Sequence, residues 1–311
     1  MITDGEFRRG WWHFDFMWGF NGVDHAAAAH RVAFHDEVTP ADTATVTGRI
    51  SGENHPFVEH FKFVKQFEDE NTVARQTMPS PAQTRFVLTG NAAAYPYDEF
   101  YKNDDELTAD IVAAYRQVIA DLYAAGCRNV QFDDCTWTRL CDASVRERLG
   151  WSDEDALRLQ QENLDVINAV IADQPDDLVI NTHVCRGNFH STWLPPELRA
   201  GRGQTVRRGE RGRLLPRVRR RPFRRFCAAR RSLRRQEGRA RLITSKKPDL
   251  EDPDTIKARI QEAAQYIPLD RLCLSTQCGF ASTQEGNKLT EDQQWAKIAL
   301  VQSIAKDVWG E

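Results

Sequence analysis

The sequence predicts an α/β fold, and more specifically a (β/α)8 barrel of the TIM type. Helical and strand-like segments alternate along the chain with short connections, which is the pattern of a parallel sheet. The length of 311 residues suits one such barrel. Polar residues with metal-ligand chemistry follow the predicted strands, and the carboxyl ends of barrel strands are where active sites lie.

The first predicted helix covers residues 108–125, where apolar residues recur at helical spacing. Thr108 is its predicted N-cap, and Gly126 is predicted to end it. A short strand follows at 129–134 and ends in two carboxylates, of which Asp133 is the first.

A second strand and helix repeat this order in the middle of the chain. The helix is predicted over 152–173 with Ser152 as its N-cap, and the strand over 178–182. The residues expected on the buried side of the helix are Leu157, Leu164, Ile167, Val170 and Ile171.

The same alternation returns near the C-terminus. Residues 242–244 have the pattern of a strand end, 253–266 of a helix, 271–276 of a strand and 290–308 of a closing helix. All of these units fit one barrel domain spanning residues 1–311.

The composition is that of a folded protein of enzyme size. Apolar residues make up 41% of the chain, enough for a sizeable core. The sequence has neither a run of about 18 apolar residues for a membrane span nor the basic and apolar regions of a signal peptide. Seven cysteines form an odd set, which favours free thiols or metal ligands in a reducing compartment. We therefore expect a cytoplasmic protein without a membrane partner.

Three residues near strand ends form a candidate metal site. His183 and Cys185 alternate along one strand end, so both side chains point the same way, and Cys278 follows a later strand. An imidazole and two thiolates suit zinc. The spacing is not that of a zinc finger, and each residue taken singly is also compatible with an ordinary loop position.

Four short motifs together resemble the catalytic barrel of cobalamin-independent methionine synthase, especially its short single-barrel relatives. They are Asp-Gly-Glu at 4–6, Gln-Phe-Asp-Asp at 131–134, Asn-Thr-His-Val-Cys at 181–185 and Ser-Thr-Gln-Cys-Gly at 275–279. The resemblance covers residues 1–194 and 242–311.

The resemblance implies a zinc-dependent methyltransferase that moves a methyl group to a small thiol, homocysteine in the family. His183, Cys185 and Cys278 match three of the four family zinc ligands, the fourth being a glutamate. Glu6 and Asp133 match the carboxylates that hold the ammonium group of the thiol substrate. Addition of a thiol such as coenzyme M to an epoxide stays an alternative with the same chemistry.

Two departures from the family limit these expectations. The chain begins almost at Asp-Gly-Glu, where the family has a further strand and helix, so we expect a barrel that is incomplete at its N-terminus. The family's proton-donating histidine after the strand at 242–244 is replaced by Ser245, Lys246 and Lys247. The methyl donor, a folate or another compound, therefore stays open.

The segment 195–241 departs most strongly. Between Arg199 and Arg241 it holds eighteen arginines but only two acids, a net charge of +16. Removing one base from possible codons for residues 206–218 yields Phe-Gly-Glu-Gly-Asn-Val-Asp-Ala-Tyr-Phe-Leu-Glu, a strand-like pattern ending in the glutamate that the resemblance requires. The sequence thus predicts a double frameshift over 195–241.

As written, this arginine-rich segment is expected to be poorly ordered, because it has too few apolar residues to offset its ordering entropy. The zinc would lack its glutamate ligand, so we expect weak metal binding and impaired turnover. A nucleic-acid-binding arm at 199–241 is the alternative of another class. The scarcity of interleaved aromatic residues argues against that alternative.

Overall fold

The computed structural model describes residues 1–28, 42–141, 146–147, 150–185, 191, 238–265, 268–281 and 286–310. The arginine-rich segment lies outside the described residues except for 238–241, which begin a strand. The predicted disorder, the frameshift and the nucleic-acid alternative therefore stay predictions.

The N-terminal part combines a short helix with a β-hairpin. Helix α1 (Phe14–Met17) precedes strands β1 (Asn21–Ala27) and β2 (Asp42–Ser51), which pair antiparallel. An aromatic run covers residues 11–20. Its phenylalanines are buried in the main core, and the indole N–H of Trp11 donates to the Asp42 carboxylate at 2.8 Å. This run therefore fastens the hairpin to the core.

The central sheet is parallel and positions the candidate site. Strands β3 (Gln76–Pro79), β4 (Asn129–Asp134) and β5 (Val179–Val184) lie in the order β3-β4-β5. Their side chains alternate, and the apolar face that contacts the helices includes Met78, Val130, Phe132 and Ile180. Ile2 forms a parallel bridge to Ala74 just before β3. The opposite face carries the polar residues of the site.

Five helices cover this sheet and connect its strands. They are α2 (Phe57–Lys65), α3 (Pro81–Gly90), α4 (Asp104–Ala124), α5 (Thr136–Cys141) and α6 (Asp153–Ile171). Ser80 caps α3 by accepting a hydrogen bond from Gln83 N, and Ser152 caps α6 in a capping box, as predicted for the second of these.

The start of α4 corrects one prediction. Helix α4 begins at Asp104, and its N-cap is Asn103, whose side chain accepts from Glu106 N at 2.9 Å. Thr108 is not the cap, because it lies one turn inside the helix and donates its hydroxyl to Asp104 O. Acidic residues in the first turn favour the earlier start, since they interact well with the positive end of the helix dipole. The predicted end at Gly126 is confirmed by its left-handed φ of 93°.

The buried side of α6 confirms the prediction for Ile167 and Val170 and corrects it for Leu157. Leu157 is 60% exposed, whereas Ala156, Val166, Ile167 and Val170 are buried. The buried stripe also includes Asn163, whose side chain donates to Thr136 Oγ1 at 3.0 Å. The Asn163–Thr136 hydrogen bond joins α6 to α5. The buried stripe of α6 therefore lies about one residue away from the stripe that apolar spacing predicted.

The C-terminal part forms a second parallel pair with its own helices. Strands β6 (Gly238–Ile243) and β7 (Leu272–Thr276) pair parallel, and α7 (Pro253–Ala264) and α8 (Glu291–Trp309) pack beside them. Thr290 caps α8 in a second capping box. A small core surrounds Ile243, Ile256, Ile260 and Ile304.

The structure therefore shows a mixed α/β fold with parallel sheets. Within the described strands, β3-β4-β5 and β6-β7 form separate hydrogen-bonded sheets, so closure into a (β/α)8 barrel stays a prediction. The described helices include none that combines the length and the apolar character needed to cross a bilayer.

Candidate metal centre

The three predicted ligand residues come together at the carboxyl ends of β5 and β7. Strand β5 pairs with β4 so that His183 lies opposite Asp133. The pairing continues one residue further, because Cys185 N donates to Asp134 O at 2.8 Å. Alternation along β5 then places the His183 imidazole and the Cys185 thiol on the same face.

Cys278 approaches from the segment after β7. Gln277 N donates to Ile243 O at 2.7 Å, which extends the pairing of β7 with β6. The Thr276 hydroxyl donates to Cys278 O at 2.9 Å and turns the chain at this point. As a result, Cys278 Sγ lies 3.7 Å from Cys185 Sγ.

The geometry fits a tetrahedral zinc ion. One ligand atom from each of His183, Cys185 and Cys278 lies within 4.8 Å of the others. Two sulfurs at a Zn–S bond length of about 2.3 Å and a tetrahedral angle stand roughly 3.8 Å apart, close to the observed sulfur separation of 3.7 Å. His183 is buried and both cysteines are half-buried, so the two thiols are partly accessible.

The carboxylates of Glu6 and Asp133 lie within electrostatic reach of each other. The pKa of Glu6 is raised to about 7, mainly by burial; Arg9 and the Thr77 hydroxyl lower it, and the Asp133 carboxylate adds to the increase. Asp133 is 9% exposed and accepts from Gln131 Nε2 at 2.8 Å. Because two acids here repel one another, a cation bound between them would be favoured.

A tight turn presents Glu6 to the site. Gly5 and Glu6 have φ values of 63° and 62°, which is the left-handed region. Two side chains stabilise this turn: Thr3 Oγ1 accepts from Gly5 N, and Asp4 Oδ1 accepts from Glu6 N at 3.0 Å. Short polar side chains of this kind commonly support such turns.

Arg9 belongs to the site although the sequence did not single it out. Its side chain is 1% exposed, and Nη1 lies 3.1 Å from Glu6 Oε1. Nη2 donates to Thr77 Oγ1 at 2.9 Å, and Thr77 in turn donates to Glu6 Oε1 at 2.9 Å. Glu6 and Arg9 are three residues apart, a spacing that indicates an ion pair. The sequence does not show whether Arg8 or Arg9 is the buried partner.

Asp134, the second carboxylate at the end of β4, has a structural role. It is fully buried, and burial raises its pKa. The hydroxyls of Ser80 and Thr136 donate to it at 2.8 and 2.6 Å. It thus joins the ends of β3 and β4 to the start of α5.

The comparisons with known proteins agree with this arrangement, although no protein-family model matches the chain. The uncharacterized protein YxjH of Bacillus subtilis is 39% identical over 316 residues, which cover 99% of this chain and 81% of YxjH. A methyltransferase of Corynebacterium glutamicum, named for 5-methyltetrahydropteroyltriglutamate and homocysteine, is 34% identical over 107 residues, 33% of this chain and 13% of its own length.

A solved structure extends the likeness to the fold. It is a protein of Listeria monocytogenes classed with the vitamin-B12 independent methionine synthases. It shares 30% identity and a TM-score of 0.66 with this chain and is matched over 100% of this chain and 81% of its own. The sequence motifs, the convergence of His183, Cys185 and Cys278 and these likenesses lead to one conclusion: the chain belongs to the cobalamin-independent methionine synthase family.

Proposed function

We propose that this protein is a zinc-dependent methyltransferase whose acceptor is a small amino-thiol, homocysteine by likeness to the named relative. The observation that carries the proposal is the approach of His183, Cys185 and Cys278 at a separation suited to one tetrahedral ion. We further propose that residues 1–311 form one catalytic domain around this centre.

The protein residues divide the work in this proposal. His183, Cys185 and Cys278 hold the ion, which when bound lowers the pKa of an incoming thiol from about 8.5 and so supplies a nucleophile at neutral pH. Glu6 and Asp133 hold the substrate ammonium group, since their mutual repulsion is relieved by a cation. Arg9 orients the Glu6 carboxylate and favours its ionised form.

The methyl donor is proposed only as a class, a folate or another methyl carrier. The residues at the family's proton-donor position are Ser245, Lys246 and Lys247, and Ser245 is fully buried. Because a folate nitrogen must be protonated as it leaves, a donor with a better leaving group would suit these residues as well.

The test combines metal analysis with a substrate panel. Purified protein is assayed for zinc and for transfer from a methylated folate or a methylated corrinoid to homocysteine, with coenzyme M and an epoxide as the competing pair. We expect methyl transfer to homocysteine that is lost in Cys278→Ser. Cys135→Ser is the matched control, because Cys135 lies outside the metal group.

The result that would contradict the proposal is equally specific. Zinc binding that is unchanged in Cys278→Ser, or product only with coenzyme M and the epoxide, would overturn the proposed acceptor chemistry. Weak turnover is expected in this chain, because the glutamate ligand falls in the arginine-rich segment.

A further inference from the structure

The side-chain amide of Asn287 connects three loops at the carboxyl ends of the parallel strands. Its Oδ1 accepts from Ser191 N at 3.2 Å, and its Nδ2 donates to Ser245 O at 2.9 Å and to Gly279 O at 3.5 Å. These partners follow β5, β6 and β7. We propose that Asn287 is a positioning residue for the metal centre, an assignment that rests on the proposed function.

The contact with Gly279 bears directly on Cys278. Strand β7 ends at Thr276, so Cys278 is not held by regular strand pairing. The residues before it are fixed by the hydrogen bonds from Gln277 N and from the Thr276 hydroxyl. Asn287 provides the bond on the other side, at the carbonyl of the following residue. At 3.5 Å this bond is long, so the Asn287 amide acts together with the two bonds before Cys278 in limiting where Cys278 can lie.

The contact with Ser191 holds a residue that lies six positions after Cys185. Ser191 is 9% exposed and has a φ of 64°, a left-handed conformation that residues other than glycine rarely adopt. Two neighbouring residues hold it there, because Lys288 N donates to Ser191 Oγ at 2.7 Å beside the bond to Asn287. Ser191, after Cys185, and Gly279, after Cys278, thus contact the same side chain.

The loop after β6 has a second support that does not involve Asn287. Glu251 accepts from Thr244 N at 2.8 Å, and the buried Lys297 of α8 donates to Glu251 at 2.9 Å. Loss of the bond to Ser245 O should therefore leave this loop in place. The effect of changing Asn287 is expected mainly at the sulfur ligands rather than on the fold.

An amide is required because the contacts need one acceptor and two donors. In Asn287→Asp the acceptor for Ser191 N stays, but both donor bonds, to Ser245 O and Gly279 O, are lost. In Asn287→Ala all three are lost. The two variants therefore separate the effect of the bond to Ser191 N from the effect of the bond to Gly279 O.

The test measures metal binding and not only activity. Zinc affinity is determined by chelator competition, and the Co²⁺-substituted protein is titrated while its thiolate-to-metal charge-transfer absorption is recorded. Asn287→Ala is expected to bind zinc roughly 10-fold or more weakly, the size of effect known for residues that orient metal ligands. Its charge-transfer absorption at saturation is expected to decrease, because a displaced Cys278 thiolate overlaps less well with the ion. Asn287→Asp is expected to lie between Asn287→Ala and the unchanged protein in zinc affinity.

Asn21→Ala is the matched control. The Asn21 amide also joins two segments, because it donates to Ser51 Oγ at 2.9 Å and to Glu53 O at 3.2 Å, but it lies in the β1–β2 hairpin. It should change the melting temperature without changing zinc affinity or the Co²⁺ spectrum. If Asn287→Ala does not fold, zinc affinity and the Co²⁺ spectrum are compared between Asn287→Asp and Asn21→Ala.

Two results would be decisive against the assignment. If Asn287→Ala and Asn287→Asp match the unchanged protein in zinc affinity and Co²⁺ absorption, Asn287 does not position the ligands, and the proposed function stands. If the unchanged protein binds neither metal, the proposed function fails, and the assignment fails with it.

Discussion

At the scale of single residues, the role proposed for Glu6 makes substrate binding depend on pH. The pKa of Glu6 is raised to about 7, mainly by burial, and Arg9 keeps it from rising higher. Binding of an ammonium group needs the ionised carboxylate. We therefore expect the KM for the amino-thiol to increase as the pH falls through about 7.

Replacing Arg9 should move that dependence in a known direction. Arg9→Ala removes the cation that lowers the Glu6 pKa, so the limb in a plot of kcat/KM against pH should shift to higher pH. Arg49→Ala is the control, because Arg49 is half-exposed and pairs with Asp110 in another part of the molecule. An unchanged limb in Arg9→Ala would show that another group controls it.

The same carboxylate should also make stability depend on pH. The folded-state pKa of Glu6 is raised from 4.5 to about 7, so the unfolded chain binds fewer protons there, and stability is lost as the pH rises through this window. Glu6→Gln removes this cost. Its melting temperature should exceed that of the unchanged protein at about pH 8 and match it at about pH 4, below the unfolded-state pKa of 4.5. Glu53→Gln, an exposed control, should show no such difference.

The sequence predicted the candidate metal ligands better than the residues that contact the site around them. His183, Cys185 and Cys278 come together because strand alternation and the position of strand ends are local properties that a sequence displays. Arg9 and Asn287 were missed because their importance depends on partners far along the chain, such as Thr77 and Ser245. The roles of Glu6 and Asp133 stay predictions.

At the scale of secondary-structure elements, helix α6 shows which side chains stabilise the fold. Ile167 is 3% exposed in the main core, whereas Leu157 on the same helix is 60% exposed. Ile167→Ala should lower the free energy of unfolding by about 2–5 kcal/mol because it leaves a cavity. Leu157→Ala should stay within about 0.5 kcal/mol. Chemical denaturation measures both, and equal losses would place Leu157 in the core after all.

Helix boundaries were predicted where the capping chemistry is unambiguous. Ser152 and Thr290 each combine a hydroxyl cap with a suitable residue three positions later, and both helices begin there. The start of α4 was predicted four residues late, because Asn103 and Thr108 are both acceptable caps. Only the acidic first turn and the bond from Glu106 N to Asn103 distinguish them. The β1–β2 hairpin was not predicted from the sequence, because its strands are held by packing against the aromatic residues at 11–20.

At the scale of the whole molecule, the arginine-rich segment is where this chain is predicted to depart most strongly from its family. The family resemblance places a glutamate ligand there, and the described centre offers three ligands. The parallel sheets on either side of the segment, β3-β4-β5 and β6-β7, still bring Cys185 and Cys278 together. Candidate ligands for the ion are thus present on both sides of the arginine-rich segment.

If residues 195–241 are frameshifted as the sequence predicts, restoring the reading frame should improve the metal site without redesigning it. A regained glutamate adds a direct ligand, so zinc affinity should increase by more than the roughly 10–100-fold that residues orienting the ligands contribute. Methyl transfer to homocysteine should increase with it. A frame-corrected protein in which the new glutamate is changed to glutamine controls for improved folding alone, because it keeps the restored strand. If the glutamine variant binds zinc as tightly as the frame-corrected protein, the gain comes from the fold and the fourth-ligand hypothesis is wrong.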